Sequence, residues 1–508
     1  MFGIKSFFGA VAALALSQLL AATAAVAAPD GFLDVKSIGA KGDGKADDQL
    51  IIKHALALAQ TRGLKGLYFP PGTYLHSGSF NVMGGLSFLG AGSNKSVLVA
   101  TGSADNLAVQ LTGIGGSVAD MGIMRRGDNI INSNSCSGIT AFGTNNSITR
   151  CNFGAGFRSA IFYSAPAGAG TVSQNEFQVG DGGTGLSVGN ALGVTVSGLT
   201  VSGNRFVGAA GGHGDGIEMG RIAGIADVPV THVTIEANRF DGLDQALHGG
   251  HSANVVVERN VMVPGTLNLK PAIEFSGTNN SVDIRNNTIS PAADSNYFES
   301  GIRFSDGENS NINIVSNEIT GLTKDGIGLH GHSANITVSQ NKIIGADKIA
   351  IKVDASNDTH DITISRNVIA GKLNRLLTNG GILIRGGRNF SIDNNDIFDT
   401  RGGNDGNVVF GGGITMDANS VSYGTCDITS NNIKDVNLAG GTGSPALAVI
   451  QVNTSSSFDK LKIVDNRYTG NTTGLGYFIL CPDDTKVSGS LIVTGNTTNT
   501  SLPTHFGP

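Results

Sequence analysis

The chain has no tryptophan at all, four cysteines and 12 prolines in 508 residues, and only 15% of its residues are charged. Each shortage excludes something. Without Trp, no flat indole platform is available to stack a ligand. Four cysteines are too few for a disulfide-built scaffold. Cys136 and Cys151 are the pair most plausibly bridged in an oxidising compartment; the competing reading makes all four small buried residues. A formal net charge of -6 and the lack of any Lys/Arg cluster argue against a nucleic-acid partner.

Long apolar runs are absent beyond residue 28. The one such run is Phe7 to Val26, preceded by Lys5 and followed by the small-residue site Ala25-Val26-Ala27. This is the pattern of a secretory signal, with cleavage expected after Ala27 and a mature protein in the periplasm or outside the cell, free of the membrane.

What the chain has in abundance is glycine, 74 residues, and a repeated asparagine. The short strand Gly216-Ile217-Glu218-Met219 returns as Ala272-Ile273-Glu274-Phe275, Gly301-Ile302-Arg303-Phe304, Gly326-Ile327-Gly328-Leu329 and Gly413-Ile414-Thr415-Met416. An alternating strand accompanies each copy and ends in Asn, two residues before another apolar side chain. That Asn stands at positions 175, 204, 238, 260, 287, 317, 341, 367, 395, 431, 466 and 496. Spacings of this size mark a solenoid, in which no rung buries its apolar row until a neighbour stacks on it. The expected architecture is one all-β coil of a dozen or more rungs, about 60 to 70 Å long at the spacing between strands. An Asn at the same bend of each rung would bond to backbone and to its counterparts above and below.

The segment Phe32 to Gly78 differs from the rungs. It holds Gly39-Ala40-Lys41-Gly42-Asp43-Gly44, then Asp47-Asp48, an amphipathic run from Leu50 to Gln60, and Pro70-Pro71-Gly72-Thr73-Tyr74. The aspartate pair is suited to cap a helix, and Ile51, Ile52, Ala55, Leu56, Leu58 and Ala59 give that helix one face to bury over the open end of the core. These pieces resemble the N-terminal segment of the pectate lyase superfamily. The resemblance implies a single-stranded right-handed parallel β-helix with an N-terminal capping helix: residues 1–27 as signal, 28–80 as cap, 81–508 as rungs. It leaves Asp43, Asp47 and Asp48 as structural residues.

In that superfamily the outer face of the strand carrying Gly-Ile-x-apolar lines the substrate groove. Here the aligned outward positions are Ser187, Glu218, His248, Glu274, Arg303, Gly328, Lys352, Leu383 and Thr415. Glu218 to Arg303 would form an unbroken line of ionisable groups roughly 14 Å long. Neighbouring turns add His213, Asp215, Asp244, Gln245, Lys270, Asp325 and His330. Four rungs are also similar in part to the polygalacturonase family. The resemblance puts that family's first catalytic Asp on Asp215, the first Asp of its pair on Asp244 and its Arg on Arg303; Gln245, Pro271 and Ser305 replace its second Asp, its His and its Lys.

The expected chemistry is hydrolysis of a uronate-containing polysaccharide. Asp244 would act as acid and Asp215 as water-activating base, roughly 5 to 8 Å apart, with Glu218 and Glu274 as further carboxylates. His213, Gln245, His248, Lys270, Arg303 and Lys352 would bind substrate. Hydrolysis needs no cofactor or metal. A lyase of the same fold would instead take its base from Arg303, Lys270 or Lys352 and could require Ca²⁺, with Glu218 and Glu274 as candidate ligands. A third reading is a polysaccharide-binding scaffold without catalysis. The Asp-Pro-His signature of alginate-type epimerases does not occur in the chain.

Overall fold

In a computed structural model the chain winds into a parallel β-helix. It describes residues 27–102, 108–126, 136–164, 168–189, 194–210, 212–220, 228–265, 270–291, 296–355, 358–373, 376–377, 380–405, 408–410, 412–417, 422–436, 447–470, 472 and 474–507. Residues 1–26, which hold most of the expected signal 1–27, lie outside them. Among the described residues no helix is long and apolar enough to cross a membrane.

Two extended sheets run the length of the coil, one of 17 strands and one of 33. The larger is two faces joined at a corner. Ile327–Ser339 runs round that corner, pairing with Ile302–Phe304 through its first half and with Glu308–Val315 through its second. Each rung therefore contributes a strand to each of three faces. Seventeen stacked strands at roughly 4.8 Å per step give a coil about 77 Å long, longer than the spacing of asparagines suggests. The difference lies in the early rungs, which carry no column Asn.

Asparagine holds one corner of nearly every later rung, and all but the terminal Asn496 are buried. At Asn317 the amide Nδ2 donates to Ile284 O at 2.9 Å and to Asn341 Oδ1 at 3.0 Å. Its own Oδ1 accepts from the backbone and side-chain nitrogens of Asn287, each at 3.0 Å. The same set repeats from Asn175 to Asn466. The residue before each column Asn is left-handed, from Ala237 at φ 52° to Gly495 at 68°. For a residue with a Cβ that conformation costs roughly 1 kcal/mol, which the ladder of hydrogen bonds offsets.

One rung before Asn175 the column position belongs to Cys151. Its N–H donates to Asn175 Oδ1 at 2.9 Å, and its Sγ approaches Val118 O at 3.6 Å and Thr149 O at 3.4 Å, where an Asn amide would donate. This corrects the expected Cys136–Cys151 bridge: all four cysteines are free and buried. Cys151 faces a bend in the core, whereas Cys136 stands at a different corner and accepts from Arg125 Nη1 at 2.8 Å. Burial pushes the Cys151 thiol up to about 12, so it is inert. Cys151→Asn is expected to extend the ladder by one rung and stabilise the protein by about 1 kcal/mol, read as a higher melting temperature.

The glycines of the Gly-Ile repeat are explained by close approach. A Cβ on Gly216 would lie 2.6 Å from Ala246 O and 2.6 Å from the Phe240 ring, so Gly is required there. Phe240 belongs to a file of stacked rings, Phe153, Phe177, Phe206 and Phe240, with centroids 4.5 to 4.9 Å apart. These are the apolar residues two positions after the column Asn.

Helix Gln49–Thr61 closes the N-terminal end, burying Ile52, Ala55, Leu56 and Ala59, with Ile51 and Leu58 partly covered. Capping differs from expectation. Asp48 occupies the N-cap without a side-chain cap bond. Its carboxylate accepts instead from Lys41 N at 2.7 Å and Gly42 N at 2.9 Å, fastening the glycine-rich turn, while Asp47 Oδ1 accepts from Gln49 N at 2.9 Å. Asp43 accepts from Lys45 N and Ala46 N. All three aspartates have structural work.

Candidate functional site

The outward column lies in register as expected. Glu218 pairs with Ser187 on one side and His248 on the other; Glu274, Arg303, Gly328, Lys352, Leu383 and Thr415 follow rung by rung. Toward the N-terminus the column continues through Phe162 and Thr140. Phe162 is an aromatic ring on this same face, half-buried, two rungs from Glu218. Tryptophan-free composition had given no hint of it.

Asp215 begins the strand Asp215–Met219 and pairs with Gln245; Asp244 stands one residue earlier on the next rung. Strand geometry thus brings the two carboxylates toward each other, and Lys270 joins them. Its Nζ donates to Asp215 Oδ1 and Oδ2, both at 2.8 Å, and lies 3.7 Å from Asp244 Oδ2. The facing oxygens of the two aspartates are therefore at most about 6.5 Å apart, because both contact one nitrogen. That upper bound admits the retaining spacing of about 5 to 5.5 Å and touches only the lower edge of the inverting range near 6.5 Å. His213 Nδ1 sits 3.6 Å from Asp244 Oδ2. Asp244 is covered, its side chain 1% exposed, and its Oδ1 has no hydrogen-bond partner.

Burial and neighbouring charge act on Asp215 and Lys270. Burial pushes the Asp215 carboxyl up to about 6; Lys270 opposes that rise, and the nearby charges of Glu218 and Asp244 add to it. For Lys270, burial works against the charge, but attraction to Asp215, its hydrogen bonds, and the fields of Asp244 and Glu218 hold the ammonium above its ordinary value. Since folding raises the Asp215 pKa, the folded state keeps this proton to higher pH than the unfolded chain. Its contribution to stability is present below about pH 4 and is lost as pH rises through about 6. Asp215→Asn is expected to flatten that segment of a melting-temperature profile against pH.

A second network adjoins the first. Gln245 Nε2 donates to Glu274 Oε2 at 3.2 Å, and Arg303 donates to Glu274 Oε1 from Nη2 at 2.7 Å and from Nε at 3.1 Å. Ser305 also donates to Glu274 Oε1. Burial disfavours the Glu274 charge, yet Ser305, Arg303 and Gln245 hold its carboxyl below the usual range. Arg303 Nη1 reaches Glu299 at 3.4 Å, and Glu299 binds Lys324 through its other oxygen. Glu218 Oε2 accepts from Thr184 Oγ1 at 3.1 Å, and His248 Nε2 lies 3.1 Å from Ser276 Oγ. Lys352 stands two rungs beyond Arg303, 3.2 Å from Asp354. Among the expected site residues, then, His213, Asp215, Asp244, Lys270 and Glu218 form one group, Gln245, Glu274 and Arg303 another, and Lys352 is separate.

Glu299 and Lys324 were missed by the sequence reading. They share a file with Asp244 and Lys270, three residues before the central Ile or Leu of each rung, which alternates in sign as Asp244, Lys270, Glu299, Lys324. Aligning the rungs on that residue exposes the file. Among the described residues no group of three His, Cys, Asp or Glu is placed to hold a metal ion. Surface hollows of about 410 and 300 Å³ lie on the last rungs, one lined by Asp483, Asp484, Leu491, Val493 and Phe506, the other by residues of 467–469 and 497–499; neither touches these charges.

Residues 32–262 match the family model described as rhamnogalacturonase A/epimerase, pectate lyase-like, a span that includes Asp215 and Asp244 and stops short of Lys270. No curated protein sequence matches the chain. Among solved structures, pre-mature gene product 12 of bacteriophage phi29 is similar at a TM-score of 0.52 and 13% identity, covering 93% of this chain and 73% of that one. The catalytic unit of a GH87 α-1,3-glucanase from Streptomyces thermodiastaticus gives 0.46 at 15% identity, over 89% and 71%. An exopolygalacturonase from Thermotoga maritima gives 0.36 at 13%, over 73% and 92%. At such identities the likeness concerns the fold. With its stacked parallel sheets and capped N-terminus the chain is a parallel β-helix protein, and its residues 32–262 are similar to the pectate lyase-like family.

Proposed function

We propose that this protein hydrolyses a uronate-containing polysaccharide in the periplasm or outside the cell, where residues 1–27 would direct it. The observation that carries the reading is the convergence of Asp215 and Asp244, from adjacent rungs, on one lysine beside a continuous row of ionisable side chains. The matching family model, whose description names a rhamnogalacturonase, supports a polysaccharide as the partner.

The environment supports exchanging the two roles that register alone suggested. Asp215, with its carboxyl pushed up to about 6, is suited to protonate the leaving glycosidic oxygen. Asp244, whose Oδ1 lacks a partner, is suited to take a proton from the attacking water, whose oxygen then bonds to the anomeric carbon as the glycosidic bond breaks. No cofactor enters this reaction. A lyase would need an uncharged base here, and two candidates fit that poorly: Lys270 is held charged by its carboxylates, and a guanidinium such as that of Arg303 stays protonated in proteins.

Incubation with a panel of acidic and neutral polysaccharides is expected to release reducing ends from a uronate polymer without the ultraviolet absorbance of unsaturated ends, and chelator is expected to change nothing. Ultraviolet-absorbing ends that vanish with chelator would mean a Ca²⁺-dependent lyase. No new ends from any polymer would mean a binding scaffold.

A further inference from the structure

Lys270 covers the two carboxylates without being covered itself. Its side chain is 37% exposed, against 12% for Asp215 and 1% for Asp244, so it stands between them and solvent. It reaches back across the Asp244 rung to Asp215, two rungs away. In the other direction its neighbour in the same file is Glu299, whose oxygens are already engaged by Lys324 and Arg303. Arg303 is likewise committed to Glu274, Ser305 and Glu299. Lys270 is thus the partly exposed cation that directly contacts both candidate carboxylates, and a new carboxylate that draws it away has to come from solvent.

We propose that Lys270 is a uronate latch: the carboxylate of a bound sugar draws its ammonium away from Asp215 and Asp244, exposing both and leaving Asp215 to take up a proton as the acid. The proposal rests on the hydrolase reading for the use made of that proton, but not for the binding step. The groups facing Asp215 are Lys270, Asp244, Glu218 and its register neighbours Thr184 and Gln245, with His213 against Asp244. Once Lys270 turns away, Asp244 and Glu218 remain, among the described residues, as close anions beside a buried carboxyl, and both disfavour its ionised form. The proton comes from solvent on binding, passes to the leaving oxygen during cleavage and is replaced in the next cycle. A neutral sugar has no carboxylate to compete for Lys270 and leaves the latch closed. Selectivity for acidic polymers would then arise in the catalytic group itself.

Calorimetric titration at about pH 7, in buffers of different ionisation enthalpy, counts protons taken up on binding. The probes are trimers of galacturonate, glucuronate and mannuronate, each with its carboxyl-reduced counterpart. At least one uronate trimer is expected to bind with proton uptake, and its reduced counterpart without it. Lys270→Met is expected to abolish the uptake and weaken binding about tenfold, the scale of one lost charge-assisted contact. Lys270→Arg, which keeps the charge should Met disturb folding, is expected to retain binding. Failure of every uronate trimer to bind, or equal proton uptake in Lys270→Met, would overturn the latch. Uptake as described with no cleavage would leave the latch standing and remove the hydrolase, whereas cleavage without uptake would remove the latch alone.

Discussion

Asp215→Asn and Asp244→Asn are each expected to cut turnover on a cleaved uronate polymer by about 100-fold or more, the scale of one lost general acid or base. Their structural consequences should differ. Asp244→Asn removes a charge whose Oδ1 accepts nothing and whose Oδ2 keeps only long contacts to Lys270 and His213, so its melting temperature should change little. Asp215→Asn removes the charge and one of the two acceptor oxygens that Lys270 holds, which alters the pH profile of stability as well as the rate. The acid should also show in pH–rate profiles: in Asp215→Asn the alkaline limb, which requires a protonated acid, should disappear from the residual activity. Full turnover in both variants would take these residues out of the mechanism and shift attention to Glu274 and Glu299.

Asn317→Leu, in the middle of the column, is expected to destabilise the protein by about 3 kcal/mol. The substitution leaves the backbone N–H of Asn287 and Ile284 O without their side-chain partner at a buried bend and takes one of two donors from Asn341 Oδ1, which keeps the backbone N–H of residue 317; each lost partner costs roughly 1 to 3 kcal/mol before local relaxation. A stack of rungs stabilised by nearest neighbours transmits that loss first to adjacent turns. Hydrogen exchange should therefore show the Asn287 and Asn341 amides opening well before those near helix Gln49–Thr61. Unchanged melting and unchanged exchange would mean that the ladder contributes little to holding the rungs.

Much of this architecture was legible because a solenoid repeats its constraints. One bend in each rung needs a left-handed residue followed by an amide that serves two rungs, and that need writes Asn into the chain every few tens of residues. Likewise the close approach of Phe240 and Ala246 O at Gly216 imposes the Gly-Ile signature, and counting from it fixed the outward column from Ser187 to Thr415. Where another residue meets the same constraint, the pattern falls silent. Cys151 stands in the Asn file with a thiol in place of an amide, so the early rungs went uncounted and the cysteine invited a disulfide.

The candidate site was legible in part for the same reason. Register alone placed Asp215 and Asp244 one rung and one residue apart. It could not show that Lys270 bends back across a rung to reach both, because side-chain reach is not encoded in strand spacing. Nor could it show that the Asp215 carboxyl is pushed up, since burial and neighbouring charge set that shift. Capping illustrates the same limit: Asp48 occupies the expected position, yet its carboxylate serves Lys41 and Gly42 rather than the helix.

The central claim, that paired aspartates add water across a glycosidic bond, is tested most directly by cleaving a uronate polymer in ¹⁸O-labelled water and weighing the products. One solvent oxygen at each new reducing end, lost together with activity in Asp215→Asn and Asp244→Asn, is the predicted result. Products carrying no solvent oxygen, or labelled products made equally well by both variants, would contradict it.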